Sequence, residues 1–153
     1  PKPERGDDAA AYREDSAKRA DEVLQSVEEF AHPRYQVDLF KLESPLPAKV
    51  LADPHHGGAD AQRAQKLFDE LGEACNRPWV MLSAGAAAQD FSKVLTYAYR
   101  AGANGYLAGR AIWWDAMQAF PDTAAIGARL QGESVPYMRA INELTAQLAR
   151  PVL

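Results

Sequence analysis

Apolar and polar positions along this chain switch repeatedly between two periods. From 14 to 31, Ala17, Ala20, Val23, Leu24, Val27, Phe30 and Ala31 recur at helical spacing, and Pro33 blocks continuation. Val37-Asp38-Leu39-Phe40-Lys41-Leu42-Glu43 then reads as a strand that stops at Pro45. Residues 60–75 return to the helical pattern with Ala64, Leu67, Phe68, Leu71 and Cys75. A strand is predicted at 79–83. A third amphipathic helix follows, carried by Phe91, Val94, Leu95 and Ala98 and ended by Gly102. The strand at 105–108 leads into Ala111-Ile112-Trp113-Trp114, a short helix. Pro136 suits a first helical position after Ser134, and Met138, Ile141, Leu144 and Leu148 form the apolar stripe of the last helix.

This alternation of helix and strand predicts an α/β fold with parallel strands joined by crossover helices. The strands are short and apolar on both faces, as in a sheet covered by helices. Three strands are convincing, whereas a complete (β/α)8 barrel takes about 250 residues. Residues 1–153 therefore read as a single partial domain, the C-terminal part of a TIM barrel, with three parallel strands in sequence order. Its helices should pack on one side and leave the interior face uncovered. Pro45–Gly58, with Pro-Leu-Pro, His-His and Gly-Gly, is a loop at the carboxyl end of the Lys41 strand. Barrel enzymes keep their active sites at that end.

Composition narrows the class. The chain has 153 residues, 47% of them hydrophobic and 25% charged, enough for one domain with a real core. Net charge is −4 with Lys and Arg scattered, which argues against nucleic acid or an anionic membrane as partner. No stretch is apolar and long enough to span a bilayer, and no signal peptide is visible. The single Cys75 excludes an internal disulfide and fits a reducing, cytoplasmic setting. A chain opening on Pro1 reads as processed, truncated or cut from a longer protein.

Lysine is rarely buried without a partner, and burial makes its amine a better nucleophile. Leu39, Lys41 and Glu43 share one strand face, so an amine and a carboxylate point the same way. If that face lines a site, Lys41 can form an imine with a ketone and Glu43 can move a proton. The alternative is a buried structural ion pair between the two. Ser83 and Gly85 follow one strand, and Gly109 and Arg110 follow the next. Loops after the last two barrel strands often bind phosphate through backbone N–H groups, and an arginine adds a bidentate contact. The alternative gives the glycines only to tight turns and Arg110 to a rim carboxylate. Repetition in two successive units favours phosphate.

Other candidates carry less. His55 and His56 are adjacent in a Gly-rich loop, a poor arrangement for co-ligands, so no metal is expected. Trp113 and Trp114 read as helix-packing residues rather than a sugar-stacking pair. The acidic stretches Glu4–Asp8 and Glu28–Glu29 read as solvated surface.

Three segments together resemble the class I aldolase family that includes tagatose-bisphosphate aldolase and sulfofructosephosphate aldolase. They are Asp38-Leu39-Phe40-Lys41-Leu42-Glu43-x-Pro45, Pro78-Trp79-Val80-x-Leu82-Ser83-x-Gly85, and Ala101-Gly102-Ala103-x-Gly105-x-Leu107-Ala108-Gly109-Arg110-Ala111-x-Trp113. Pro3-Glu4-Arg5-Gly6-Asp7 looks like the segment leaving a preceding strand. The resemblance implies that Lys41 is the Schiff-base lysine. It also implies that Ser83, Leu107 and Arg110 contact substrate or phosphate, with Gly85 and Gly109 in the same loops. The family's main acid/base carboxylate would lie on a strand before this chain.

Several readings follow. The first is a class I aldolase in the full-length protein, cleaving a ketose phosphate to dihydroxyacetone phosphate and an aldehyde without metal or cofactor. The isolated piece is then expected to be inactive. The second is a non-catalytic sugar-phosphate-binding barrel fragment. A third is another phosphate-binding barrel enzyme in which Lys41 acts as a base. In each the partner is a small sugar phosphate, with self-association left open.

Overall fold

The computed structural model describes residues 16–152. The Pro3–Asp7 segment and the Glu4–Asp8 acidic stretch lie outside the described residues. Three short parallel strands, β1 (Phe40–Leu42), β2 (Trp79–Leu82) and β3 (Gly105–Leu107), form one sheet in the order β1-β2-β3. Phe40 aligns with Trp79, Lys41 with Val80, and Leu42 with Met81. Val80 aligns with Gly105, Met81 with Tyr106, and Leu82 with Leu107. β1 is shorter than the predicted 37–43 because its partner begins at Trp79. Pro78, without an N–H, cannot extend the ladder, although its carbonyl accepts from Phe40 N at 2.9 Å.

The helices are α1 (Ser16–Phe30), α2 (Ala59–Ala74), α3 (Ala88–Arg100), α4 (Arg110–Met117), α5 (Thr123–Arg129) and α6 (Val135–Leu148). Short 3-10 turns occupy Pro33–Tyr35 and Ala48–Val50. Phe40, Leu42, Trp79 and Met81 form the buried sheet face and share one core with Phe68, Leu71, Phe91, Val94, Leu95 and Ile141. The opposite face carries Leu39 and Leu107, 51% and 46% exposed. Among the described residues the sheet is thus covered on one side only, as expected, although its strands are apolar on both faces.

α3 is the central helix. Seven of its residues, Phe91, Val94, Leu95, Thr96, Tyr97, Ala98 and Tyr99, are buried because α2, α6 and the Ala48–Val50 turn surround it. The Tyr97 ring stacks on Phe68 at 5.5 Å. The helix ends at Gly102, whose φ of +92° is the left-handed conformation of a C-terminal glycine.

The C-terminal region departs from the sequence pattern. α5 went unread, though Asp122 caps it by accepting from Ala125 N at 2.9 Å. A π-helical turn, Leu130–Ser134, joins α5 to α6. Ser134 therefore has helical φ and ψ (−69°, −41°) and is no N-cap. The inward stripe of α6 is Tyr137, Ile141, Leu144 and Thr145, while Met138 and Leu148 are 39% and 40% exposed. Tyrosine hydroxyls fix this helix: Tyr137 donates to Ala88 O at 2.7 Å and Tyr99 lies 2.7 Å from Thr145 Oγ1.

Candidate functional site

Burial alternates along the chain from Leu39 to Ser44. Phe40, Leu42 and Ser44 turn under the helices, while Leu39, Lys41 and Glu43 share the uncovered face. Lys41 is therefore exposed rather than buried, and a buried Lys41–Glu43 pair is ruled out because both residues are exposed. The physical reason is the register: Lys41 lies beside Val80, then Gly105, on the face that no described helix covers.

The two glycine loops are neighbours, as expected. Ser83 N donates to Leu107 O at 3.0 Å, so the chain leaves β2 and β3 side by side. Ala86 N then donates to Ser83 O at 2.8 Å, closing a tight turn over Ala84 (φ +47°) and Gly85 (φ +78°). Positive φ at both central positions is the type I′ geometry, which glycine accommodates without strain. Gly109 precedes the first residue of α4 and has no side-chain cap to offer. Arg110 projects back from α4 onto the other loop. A Cβ at Gly85 would lie 3.1 Å from Arg110 Nη2 and 3.2 Å from Cζ. Among the described residues Arg110 pairs with no carboxylate, so the rim ion pair is absent. Ser83 is buried and Leu107 exposed.

Trp113 and Trp114 are 39% and 51% exposed, so they do not pack the helix as expected. They tilt against each other at 5.9 Å, and a Cβ at Gly109 would lie 3.6 Å from Trp113 Nε1. Trp113 thus stands beside the Gly109–Arg110 corner.

The loop after β1 is held from behind. Lys93 Nζ donates to Leu51 O at 3.3 Å, Tyr97 Oη to Ala52 O at 3.1 Å, and Arg100 Nη1 to Pro54 O at 2.9 Å. Residues 93, 97 and 100 recur on one helix face, so three side chains over about two turns of α3 grip three nearby carbonyls. Beyond them, His55 N and His56 Nδ1 both contact the Asp53 carboxylate, at 2.8 and 2.9 Å, in an exposed turn. The grip brings Lys49 to a cavity of about 230 Å³ that it lines with Ser44, Ser83 and Gly85. Sequence reasoning missed Lys49, since a lone lysine in a proline-rich loop has no periodicity to mark it.

Comparison with known proteins adds to this geometry. Residues 5–115 match the DeoC/LacD family aldolase profile. Tagatose 1,6-diphosphate aldolase 1 of Enterococcus faecalis is 33% identical over 122 residues, covering 78% of this chain and 38% of that protein. Tagatose 1,6-diphosphate aldolases of Streptococcus pneumoniae and Staphylococcus aureus are 32% and 33% identical over 111 residues, covering 70% of this chain and 34% of each relative. The chain thus spans little more than a third of the length of these curated relatives.

Proposed function

The chain belongs to the DeoC/LacD family of aldolases, and from that premise we propose that it is the C-terminal part of a (β/α)8-barrel class I aldolase. The full-length protein would cleave a ketose phosphate of the tagatose 1,6-bisphosphate type reversibly to dihydroxyacetone phosphate and an aldehyde. The observation that carries the proposal is the placement of Arg110 against Gly85, between two loops at the carboxyl ends of the strands. β1 and β3 stand two interstrand steps apart, about 10 Å. A lysine side chain extended by a three-carbon phosphate covers that distance.

In this reading the Lys41 amine adds to the substrate ketone, and loss of water leaves an iminium ion. A carboxylate takes the proton of the hydroxyl on the far side of the bond to be broken. The carbon–carbon bond then cleaves, its electron pair moves into the iminium to give an enamine, and the aldehyde departs. Protonation and hydrolysis of the enamine return free Lys41 and dihydroxyacetone phosphate. Glu43 shares the Lys41 face and is the nearest acid/base candidate in sequence. Ser83, Gly85, Leu107, Gly109 and Arg110 form the phosphate end. The isolated piece is proposed to be inactive.

The test is borohydride reduction of the full-length protein with dihydroxyacetone phosphate, followed by mass spectrometry of the peptides. Trapping at Lys41, and its loss in Lys41→Arg with the fold intact, is expected because arginine stays protonated. Trapping at another lysine refutes the assignment. A properly folded protein that binds phosphate and traps nothing supports the non-catalytic binding fragment instead.

A further inference from the structure

The amino ends of the strands hold a second cavity, far from Lys41. It measures about 360 Å³ and its lining includes Arg77, Arg150, Asn76, Asn104, Cys75 and Trp79. The size falls within the range of small-molecule sites, about 300–1,000 Å³. Arg77 stands before β2, and Gly102–Asn104 before β3. The four residues of β2, about 13 Å of strand, therefore separate this cavity from the Ser83–Gly85 turn.

Its charge is one-sided. No Asp or Glu lines it, although the chain carries 21 of them and a net charge of −4. Four other described arginines have partners: Arg34 pairs with Glu29, Arg63 with Asp60, Arg100 with Pro54 O and Arg129 with Asp115 O. Arg77 and Arg150 have no side-chain hydrogen bond or ion pair among the described residues. Both arginines are exposed, and the carboxylate that shares a cavity lining with Arg77, Asp38, belongs to an adjoining cavity rather than this one. An anion bound here would take charge-assisted contacts from both guanidinium groups.

The cavity is also built rather than incidental. Asn104 Oδ1 accepts from Trp79 N at 2.9 Å, and its Nδ2 donates to Arg150 O at 2.9 Å. Arg150 N donates to Ala103 O at 3.0 Å. These bonds tie the segment after α6, with Arg150 on it, to the sheet. Asn76 is held by its bond from Nδ2 to Ala31 O at 2.7 Å. We propose that Arg77 and Arg150 form a second anion site, distinct from the Lys41 end, that takes the phosphate group of a small metabolite.

The test uses inorganic phosphate as probe, in equilibrium dialysis of the full-length protein at constant ionic strength. Arg110→Ala should leave one class of bound phosphate intact. Arg77→Gln with Arg150→Gln should weaken that class about tenfold or more, because charge-assisted contacts are lost. Borohydride trapping at Lys41 should be unchanged in the double variant, which separates this site from the catalytic proposal. Far-ultraviolet circular dichroism verifies folding, and each single variant, expected to give a partial loss, serves if the double variant does not fold. Complete loss of phosphate binding in Arg110→Ala, or unchanged binding in the folded Arg77→Gln and Arg150→Gln variants, overturns the proposal.

Discussion

The guanidinium of Arg110 lies against the backbone of Gly85, 3.1 Å from the point a Cβ would occupy. Two successive strand-end loops are thereby joined by one side chain rather than merely adjacent. Removing it by Arg110→Ala should weaken phosphorylated substrates far more than unphosphorylated analogues. A charged contact contributes on the order of 1.5–3 kcal/mol, so kcat/KM in the full-length protein should fall about tenfold to a hundredfold. Equal losses for both substrate types would make Arg110 a support of the fold. Gly85→Ala should act in the same direction, since alanine at φ +78° is strained and its methyl displaces the guanidinium.

Gly72 and Ala101 define a second close approach. A Cβ at Gly72 would stand 2.3 Å from Ala101 O, a backbone atom at the end of α3. On helix propensity alone, Gly72→Ala near the end of α2 would gain about 1 kcal/mol. The overlap reverses the sign, because α2 and α3 must separate, and overpacking costs about 1–3 kcal/mol. Urea denaturation should show a lower midpoint for the variant. A midpoint at or above the parent would mean that the two helices can slide apart freely.

The grip of α3 on the β1 loop gives a third expectation. Tyr97→Phe removes only the hydroxyl that donates to Ala52 O and preserves the ring stacked on Phe68. The cost should be about 1–2 kcal/mol, that of a lost hydrogen bond to a partly buried carbonyl. Hydrogen exchange should accelerate locally over residues 51–54 if the bond holds the loop. Uniform acceleration across the sheet would assign Tyr97 to general packing.

The legible parts of this chain were those where one period dominates. The α2 stripe of Ala64, Phe68 and Leu71 is a single buried face that sequence marks directly, and the three strands were found at their apolar runs. The Lys41 strand was legible in pattern but not in burial. Alternation shows which residues share a face, whereas the presence of a covering layer depends on elements beyond the strand. Trp113 and Trp114 misled for the same reason: their size argued for burial, yet both stay part-exposed, packed against each other. Arg110 was placed correctly at its loop, but its contact with Gly85 depends on the side-by-side exit of β2 and β3, a relation between distant residues. Lys49 and the Arg77–Arg150 cavity have no sequence period at all. Each arises where segments far apart in the chain meet.

Alkaline pH supplies the last prediction. Burial pushes the Cys75 thiol up to about 12 from an ordinary 9.0, and Tyr99 up to about 12 from 10.0, also chiefly by burial. The folded protein therefore keeps both protons where the unfolded chain releases them. With fewer protons bound to the unfolded state, stability falls as pH rises. The loss begins near pH 9 for Cys75 and near pH 10 for Tyr99, and is complete once pH passes about 12. Cys75→Ala removes the first contribution, so its stability should stay flat to about one pH unit higher than the parent. Urea midpoints between pH 8 and pH 10 check this, and parallel slopes for parent and variant would defeat it. The same burial predicts slow alkylation of the native thiol by iodoacetamide at pH 8, since the thiolate is the reactive form. Alkylation as fast as that of the urea-unfolded chain would show that Cys75 is open to solvent and that its proton plays no part in alkaline unfolding.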